Sequence, residues 1–232
     1  MMTTSGKTLL SYYEAMLESL GPSRWWPGEH PLEIAVGAVL TQNTAWKNVE
    51  KALDRLRRKN ALRLDSLLNM PLEEMEEALR PSGFFRLKAQ RLRNLLLFFS
   101  SFPGWNQNPE AGRLDFLQTL STQELRKALL HVHGVGPETA DCILLYALDR
   151  PSFVIDAYTR RICGRHGFFP DDVPYGELRE FFMRALPVDV SLYNEYHALL
   201  VRTGNRFCKN RKPLCAECPL GKFLKPGSFA AM

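Results

Sequence analysis

Residues Leu129–Arg165 read LLHVHGVGPETADCILLYALDRPSFVIDAYTRRICGR, and this stretch decides the fold. It parses as a helix, a tight Gly134-Val135-Gly136 turn, a second helix, a connector, and Asp156 at the mouth of a third helix. Two glycines one residue apart let the backbone bend sharply and bring its N–H groups close to a ligand. The helix that follows adds positive partial charge at its N-terminus, so the bend can cradle a phosphate. A plain turn between two helices would use the same residues. The run Phe153, Val154, Ile155 sits between Pro151 and Asp156 and reads as a buried connector, not a strand.

Outward from this stretch, apolar residues recur at helical spacing: Leu9, Tyr13, Met16 and Leu20; Trp46, Val49, Leu53 and Leu56; Leu92, Leu95, Leu96 and Phe99; Leu178, Phe181, Phe182 and Ala185. Punctuation agrees. Gly21 and Pro22 stop the first helix, Pro71 with Glu73 and Glu74 opens another, and Ser121 with Glu124 has the capping-box spacing. Alternating strand patterns, internal repeats and low-complexity tracts are absent, so the chain reads as all-α. The segment from Ser101 to Gly112 reads as the longest loop, and the Lys-, Pro- and Gly-rich tail from Lys209 onward is expected to lack regular helix.

At 232 residues the chain can bury a substantial core in one large domain or two small ones. No apolar run approaches a membrane span and no secretory leader is legible, so a cytoplasmic protein is expected. Thirty Lys plus Arg against 25 Asp plus Glu give a net charge of +5 and a pI near 9.0, a balance that favours a polyanionic partner. Three of the five cysteines crowd into one short C-terminal stretch, which suits a metal or cluster loop better than a secreted disulfide framework.

The combination of the Gly134-Val135-Gly136 bend with Asp156 resembles the helix-hairpin-helix plus Gly/Pro/Asp motif of the endonuclease III superfamily of DNA glycosylases. The resemblance runs from about Trp25 to Cys218. It implies that Asp156 stabilises the oxocarbenium-like sugar as a base departs, or activates the attacking water. A purely structural role as the N-cap of AYTRRICGR is the bland alternative, and one residue can do both. Bifunctional members carry a lysine two residues after the second hairpin glycine; here that residue is Glu138, which cannot form an imine, so no lysine-driven lyase step is expected from it. The resemblance instead makes Glu138 a candidate catalytic residue beside Asp156, lining the base pocket, with a solvated first-turn acid as the bland alternative.

Trp25-Trp26-Pro27 and the segment Gly37–Trp46 look like the corresponding parts of the 3-methyladenine glycosylase branch. Aromatic walls at Trp25, Trp26 and Trp46 would suit an alkylated, positively charged purine; ordinary core packing is the rival role. By the same resemblance Gln42 enters the gap left by the flipped nucleotide, and Phe84, in the segment Pro81–Ala89, is the apolar wedge that props the stack open. The resemblance also implies that Gly134, Val135 and Gly136 grip one phosphate. Arg86, Lys88 and Arg91, then Arg160, Arg161 and Arg165, are read as a phosphate-facing cluster.

Cys208, Cys215 and Cys218 have the spacing C-x6-C-x2-C, matching the first three ligands of the family's 4Fe–4S loop, and His197 and Gly204 match the helix leading into it. The fourth ligand should fall at position 224, which is Leu224. A cluster on three cysteines, a three-Cys zinc site completed by a histidine, and a loop without metal are the alternatives. A cluster here would stiffen the basic loop at Lys209, Arg211 and Lys212.

The fold this resemblance implies is all-α and two-lobed. Residues 25–150 form a six-helix barrel with the hairpin, while residues 1–24 and 151–232 form a second helical lobe with the cysteine loop. The function it implies is that of a monomeric, monofunctional base-excision glycosylase. Such an enzyme acts on double-stranded DNA containing a damaged base and hydrolyses the N-glycosidic bond of alkylated purines such as 3-methyladenine. The alternatives are an endonuclease III-like glycosylase and AP lyase on oxidised pyrimidines, and a non-catalytic helix-hairpin-helix DNA-binding module.

Overall fold

The computed structural model describes residues 3–106, 112–170 and 172–224. In chain order the helices are α1 Thr4–Leu20, α2 Pro31–Leu40, α3 Trp46–Arg58, α4 Leu64–Asn69, α5 Leu72–Leu79, α6 Phe85–Ser100, α7 Thr122–Leu130, α8 Pro137–Cys142, α9 Ala157–Arg165, α10 Tyr175–Ala185 and α11 Val190–Arg206. No strand occurs among the described residues, and none of their helices is long and apolar enough to cross a membrane. The architecture is all-α.

Helix ends follow their sequence signals. Thr3 caps α1 through its hydroxyl, and Gly21, at φ 66, ends it. Ser121 and Glu124 form the full capping box on α7. Pro31 enters α2 at its first turn, where its missing N–H costs nothing. The connector Phe153–Ile155 is buried and irregular, as its composition implies. Of the long loop expected from Ser101 to Gly112, residues 107–111 lie outside the described residues. From Lys209 to Leu224 the chain holds turns and a single 3₁₀ turn, Gly221–Phe223; the tail beyond Leu224 lies outside the described residues.

The chain divides into two compact units, one of residues Trp26–Arg150 and the other of the N-terminal 25 residues with the chain from Pro151 on. In the Trp26–Arg150 unit, α2 is the central element. Eight of its residues are buried, among them Leu32, Val36, Val39 and Leu40, and it packs against α3, α6, α8 and the π-helical turn Ile143–Ala147 that continues α8. Leu92, Leu95, Leu96 and Phe99 supply the inner face of α6, each burial contributing about 1.5–3 kcal/mol.

In the other unit α11 packs on α1 and α9 around an aromatic core. Phe153 stacks on Phe182 with ring centres 4.2 Å apart, and Tyr193 and Tyr196 meet it edge-on. The Tyr196 hydroxyl donates to the Leu9 carbonyl at 2.7 Å, so α1 is pinned to α11. On α1 Leu9 and Met16 are buried as expected, but the buried aromatic is Tyr12, with Tyr13 half-exposed.

Candidate functional site

Asp156 stands at the N-cap of α9. Its Oδ1 accepts from the Thr159 N–H at 2.7 Å, which fixes the carboxylate plane, while Oδ2 lies 4.0 Å from His197 Nε2 on α11. The Asp156 side chain is 12% exposed and that of His197 5%. Burial lowers the His197 pKa, with the Asp156 charge pulling the other way, so the imidazole is neutral near pH 7. Sequence reading assigns His197 only to the helix that leads into the cysteine loop; its approach to Asp156 depends on how closely α9 and α11 pack. Gly204 permits that packing, because a Cβ there would fall 2.5 Å from Tyr158.

The three arginines of α9 face inward to neighbouring backbone. Arg160 donates to the Val173 carbonyl, Arg161 to the Cys208 carbonyl at 2.8 Å, and Arg165 to the Lys209 and Asn210 carbonyls at 2.6 and 3.1 Å and to Cys208 Sγ at 3.2 Å. Arg161 also lies over the Tyr158 ring. They staple α9 to its surroundings, a use of charge that a count of cations cannot reveal.

Cys208, Cys215, Cys218, His166 and Leu224 line one cavity of this unit. Burial pushes the Cys215 and Cys218 thiols up. Gly221 lets the chain pass the Cys215 carbonyl, where a Cβ would sit at 2.2 Å. Among the described residues no group of His, Cys, Asp and Glu is arranged to hold a metal ion. A closed 4Fe–4S cluster takes four thiolates; the loop offers three, and the fourth position presents the apolar Leu224 to the same cavity. The residues present do not fit a closed four-thiolate cluster.

In the Trp26–Arg150 unit the hairpin lies between α7 and α8. Gly134 has φ 97, and a Cβ on it would lie 2.3 Å from Arg91 Cγ, so only glycine fits. Gly136 is extended, at φ −87, with nothing within 4 Å of where a Cβ would project. Val135 is buried, and Glu138 is exposed in the first turn of α8. Arg126 on α7 holds Asp141 on α8 through two bonds of 2.7 and 2.9 Å, a fork that fixes the angle between the two helices.

Gln42 meets the hairpin directly. Its Nε2 donates to the Gly134 carbonyl at 3.1 Å and to Thr139 Oγ1 at 2.9 Å, and its Oε1 accepts from Arg91. Phe84 is 70% exposed and left-handed, at φ 46, just after Gly83 at φ 67. Trp26 and Trp46 meet edge-to-face at 5.2 Å, and Tyr146 joins them at the same distance from Trp26. Tyr146 hides in the apolar run ILLYA, where nothing distinguishes it from core. Trp25 belongs to the other unit, and its backbone N–H donates to the Ser23 hydroxyl.

The expected phosphate-facing cluster departs from its reading at Lys88 as well as at the three inward-facing arginines of α9. Lys88 is 1% exposed and cannot reach DNA. Its Nζ donates to the Leu40 carbonyl, Thr44 Oγ1 and the Ser82 carbonyl at 2.7–2.8 Å, and burial pushes its pKa down to about 8. Arg86, by contrast, is exposed beside Glu76.

With this geometry in hand, comparison with known proteins places the chain. Residues 36–188 match the family described as HhH-GPD superfamily base excision DNA repair protein. A Methanocaldococcus jannaschii protein, named provisionally as a DNA repair glycosylase, is 44% identical over 91% of this chain and 93% of its own length. In structure the chain is similar to an endonuclease III–DNA complex, with a TM-score of 0.78 at 23% identity over 100% of this chain and 99% of that one. It is also similar to an H. pylori 3-methyladenine DNA glycosylase bound to 1,N6-ethenoadenine, with a TM-score of 0.71 at 28% identity over 88% of this chain and 98% of that one. The chain belongs to the HhH-GPD superfamily of base excision DNA repair proteins.

Proposed function

We propose that this protein is a monofunctional DNA glycosylase that flips an alkylated purine from the duplex and hydrolyses its N-glycosidic bond. The observation that carries the reading is the Asp156 carboxylate. One oxygen is fixed by the Thr159 N–H at 2.7 Å and the other is left toward a neutral imidazole. A carboxylate so held stabilises positive charge as it develops on the sugar, and orients the water that replaces the departing base. The bond between the anomeric carbon and the base nitrogen breaks, and the water oxygen bonds to that carbon. The cationic purine departs neutral, keeping the electron pair of the broken bond, and the water gives up its surplus proton to the Asp156 carboxylate and from there to solvent.

Each remaining role falls to a side chain already described. The backbone N–H groups of Gly134 and Gly136 grip a phosphate beside Val135, whose own N–H is donated to the Val132 carbonyl at 3.0 Å; Phe84 fills the unstacked step, and Gln42 leaves the hairpin carbonyl for the vacated base position. Trp26 and Trp46, with Tyr146, offer π faces to a cationic purine. The alkylpurine preference is supported by the likeness to the 3-methyladenine glycosylase. The monofunctional reading rests on Glu138, which supplies no amine at the position where a Schiff base would form.

For the cysteine loop, a cluster bound through Cys208, Cys215 and Cys218 alone would stiffen the segment carrying Lys209, Arg211 and Lys212. Iron and acid-labile sulfide analysis of the purified protein tests it.

The deciding experiment for the function is base release from a panel of duplexes carrying alkylated purines, uracil, mismatched thymine or oxidised pyrimidines, with and without alkali. The expected result is free alkylpurine and a strand nicked only after alkali. Release of no base from any duplex would overturn the glycosylase reading, and nicking without alkali would overturn the monofunctional part.

A further inference from the structure

Lys88 is a cation with no route to solvent. It is 1% exposed, and its three ammonium protons are matched by three oxygens: Leu40 O at 2.8 Å, Thr44 Oγ1 at 2.7 Å and Ser82 O at 2.7 Å. Burying an ammonium costs several kcal/mol before its bonds compensate, by the general penalty for desolvating an ion. A methionine would fill the same volume without that cost. Packing therefore does not explain a lysine here.

The acceptors do. Leu40 ends α2, Thr44 lies two residues after Gln42, and Ser82 two residues before Phe84. Thr44 Oγ1 itself donates to the Ser82 carbonyl, closing the link between the two loops. Each loop also holds a strained residue, Asn43 at φ 53 and Phe84 at φ 46. Left-handed backbone of this kind costs about 1–3 kcal/mol per residue and persists only where the surroundings over-determine it. One turn further along α6, Arg91 holds the Gln42 amide and packs on Gly134.

Resting on the reading of Gln42 and Phe84 as the residues that enter the duplex, we infer that Lys88 is a positioning residue whose buried ammonium locks the Gln42 loop to the Phe84 loop, so that both enter the base stack at one fixed separation. It touches neither DNA nor the reacting atoms. Its effect is felt only through those two side chains.

A mutational cycle tests this, with 2-aminopurine beside the lesion to report unstacking and single-turnover base release as a second readout. In Lys88→Met, unstacking amplitude and release rate are each expected to fall about tenfold, while affinity for undamaged duplex stays within about twofold. In a Gln42→Ala, Phe84→Ala background the same substitution is expected to change the rate by less than about twofold. Thr44→Val keeps the lysine and runs the same cycle with a smaller loss, should Lys88→Met fail to fold. A full loss in the doubly substituted background, or a Lys88→Met protein as active as the parent, overturns the clamp. A parent protein that unstacks the probe yet releases no base overturns the glycosylase reading, and leaves the clamp to be judged by fluorescence alone.

Discussion

His197 Nε2 stands 4.0 Å from Asp156 Oδ2, while the other oxygen of the same carboxylate is capped by the Thr159 N–H. The two oxygens thus have different neighbours, one serving the helix and one facing a buried neutral ring. Asp156→Asn keeps the cap, because asparagine serves an N-cap as well as aspartate does. Base release is expected to fall by about a hundred- to ten-thousandfold in single-turnover assays. Stability should shift by less than about 1 kcal/mol in thermal melts. An Asp156→Asn protein with undiminished release would remove the carboxylate from the chemistry.

The two hairpin glycines are predicted to fail in different ways. Gly134→Ala meets Arg91 and adopts φ 97, so it should destabilise the fold by about 1–3 kcal/mol. Gly136→Ala has ordinary φ and open space, so its melting point should barely move, while its new methyl obstructs the approach of a phosphate and weakens duplex binding. Equal duplex affinity in Gly136→Ala and parent, measured by fluorescence anisotropy, would count against the cradle.

Borohydride reduction on an abasic duplex is predicted to trap no covalent adduct. The position that would carry the imine-forming amine is Glu138, and Lys88 is sealed among three oxygens. A trapped band on a denaturing gel would reveal an amine nucleophile elsewhere in the chain.

Acid should loosen the fold through a second histidine. Burial lowers the His166 pKa to about 4 from 6.5, and its Nδ1 meets the Tyr12 hydroxyl at 2.8 Å. The unfolded chain binds this proton near pH 6.5 and the folded chain only near 4. The stability is therefore complete above pH 6.5 and is lost as pH falls toward 4, by about 3 kcal/mol. His197 shifts in the same direction and adds to the loss. Denaturant midpoints are expected to be level above neutrality and to decline through this window, less steeply in His166→Phe. A midpoint that holds steady down to pH 4 would show that the ring is not buried neutral.

Much of this was legible in the residues themselves. Helical period and caps announced an all-α chain, and a bend of two glycines before Pro137 announced the hairpin. What a linear sequence hides is direction and depth. Lys88 and Arg91 lie three positions apart on α6 and look alike in sequence, yet one is sealed in and the other reaches Gln42. Arg160, Arg161 and Arg165 look like free cations until carbonyls from Val173 and the cysteine loop are brought to them. Tyr146 sits in an apolar run whose π-helical turn no local propensity announces, and His197 meets Asp156 only because Gly204 leaves room for Tyr158.

The stapling of α9 has a mechanical consequence. The helix is nine residues long, roughly 13 Å from end to end, with Asp156 at its head and Arg161 and Arg165 moored to the cysteine loop at its foot. The loop is an abutment: slack introduced there tilts a short stiff rod, and the tilt arrives at the far end as a misaimed carboxylate. Substitutions in the Cys208–Asn210 stretch should therefore detune hydrolysis from a distance, without touching a base, a sugar or a phosphate.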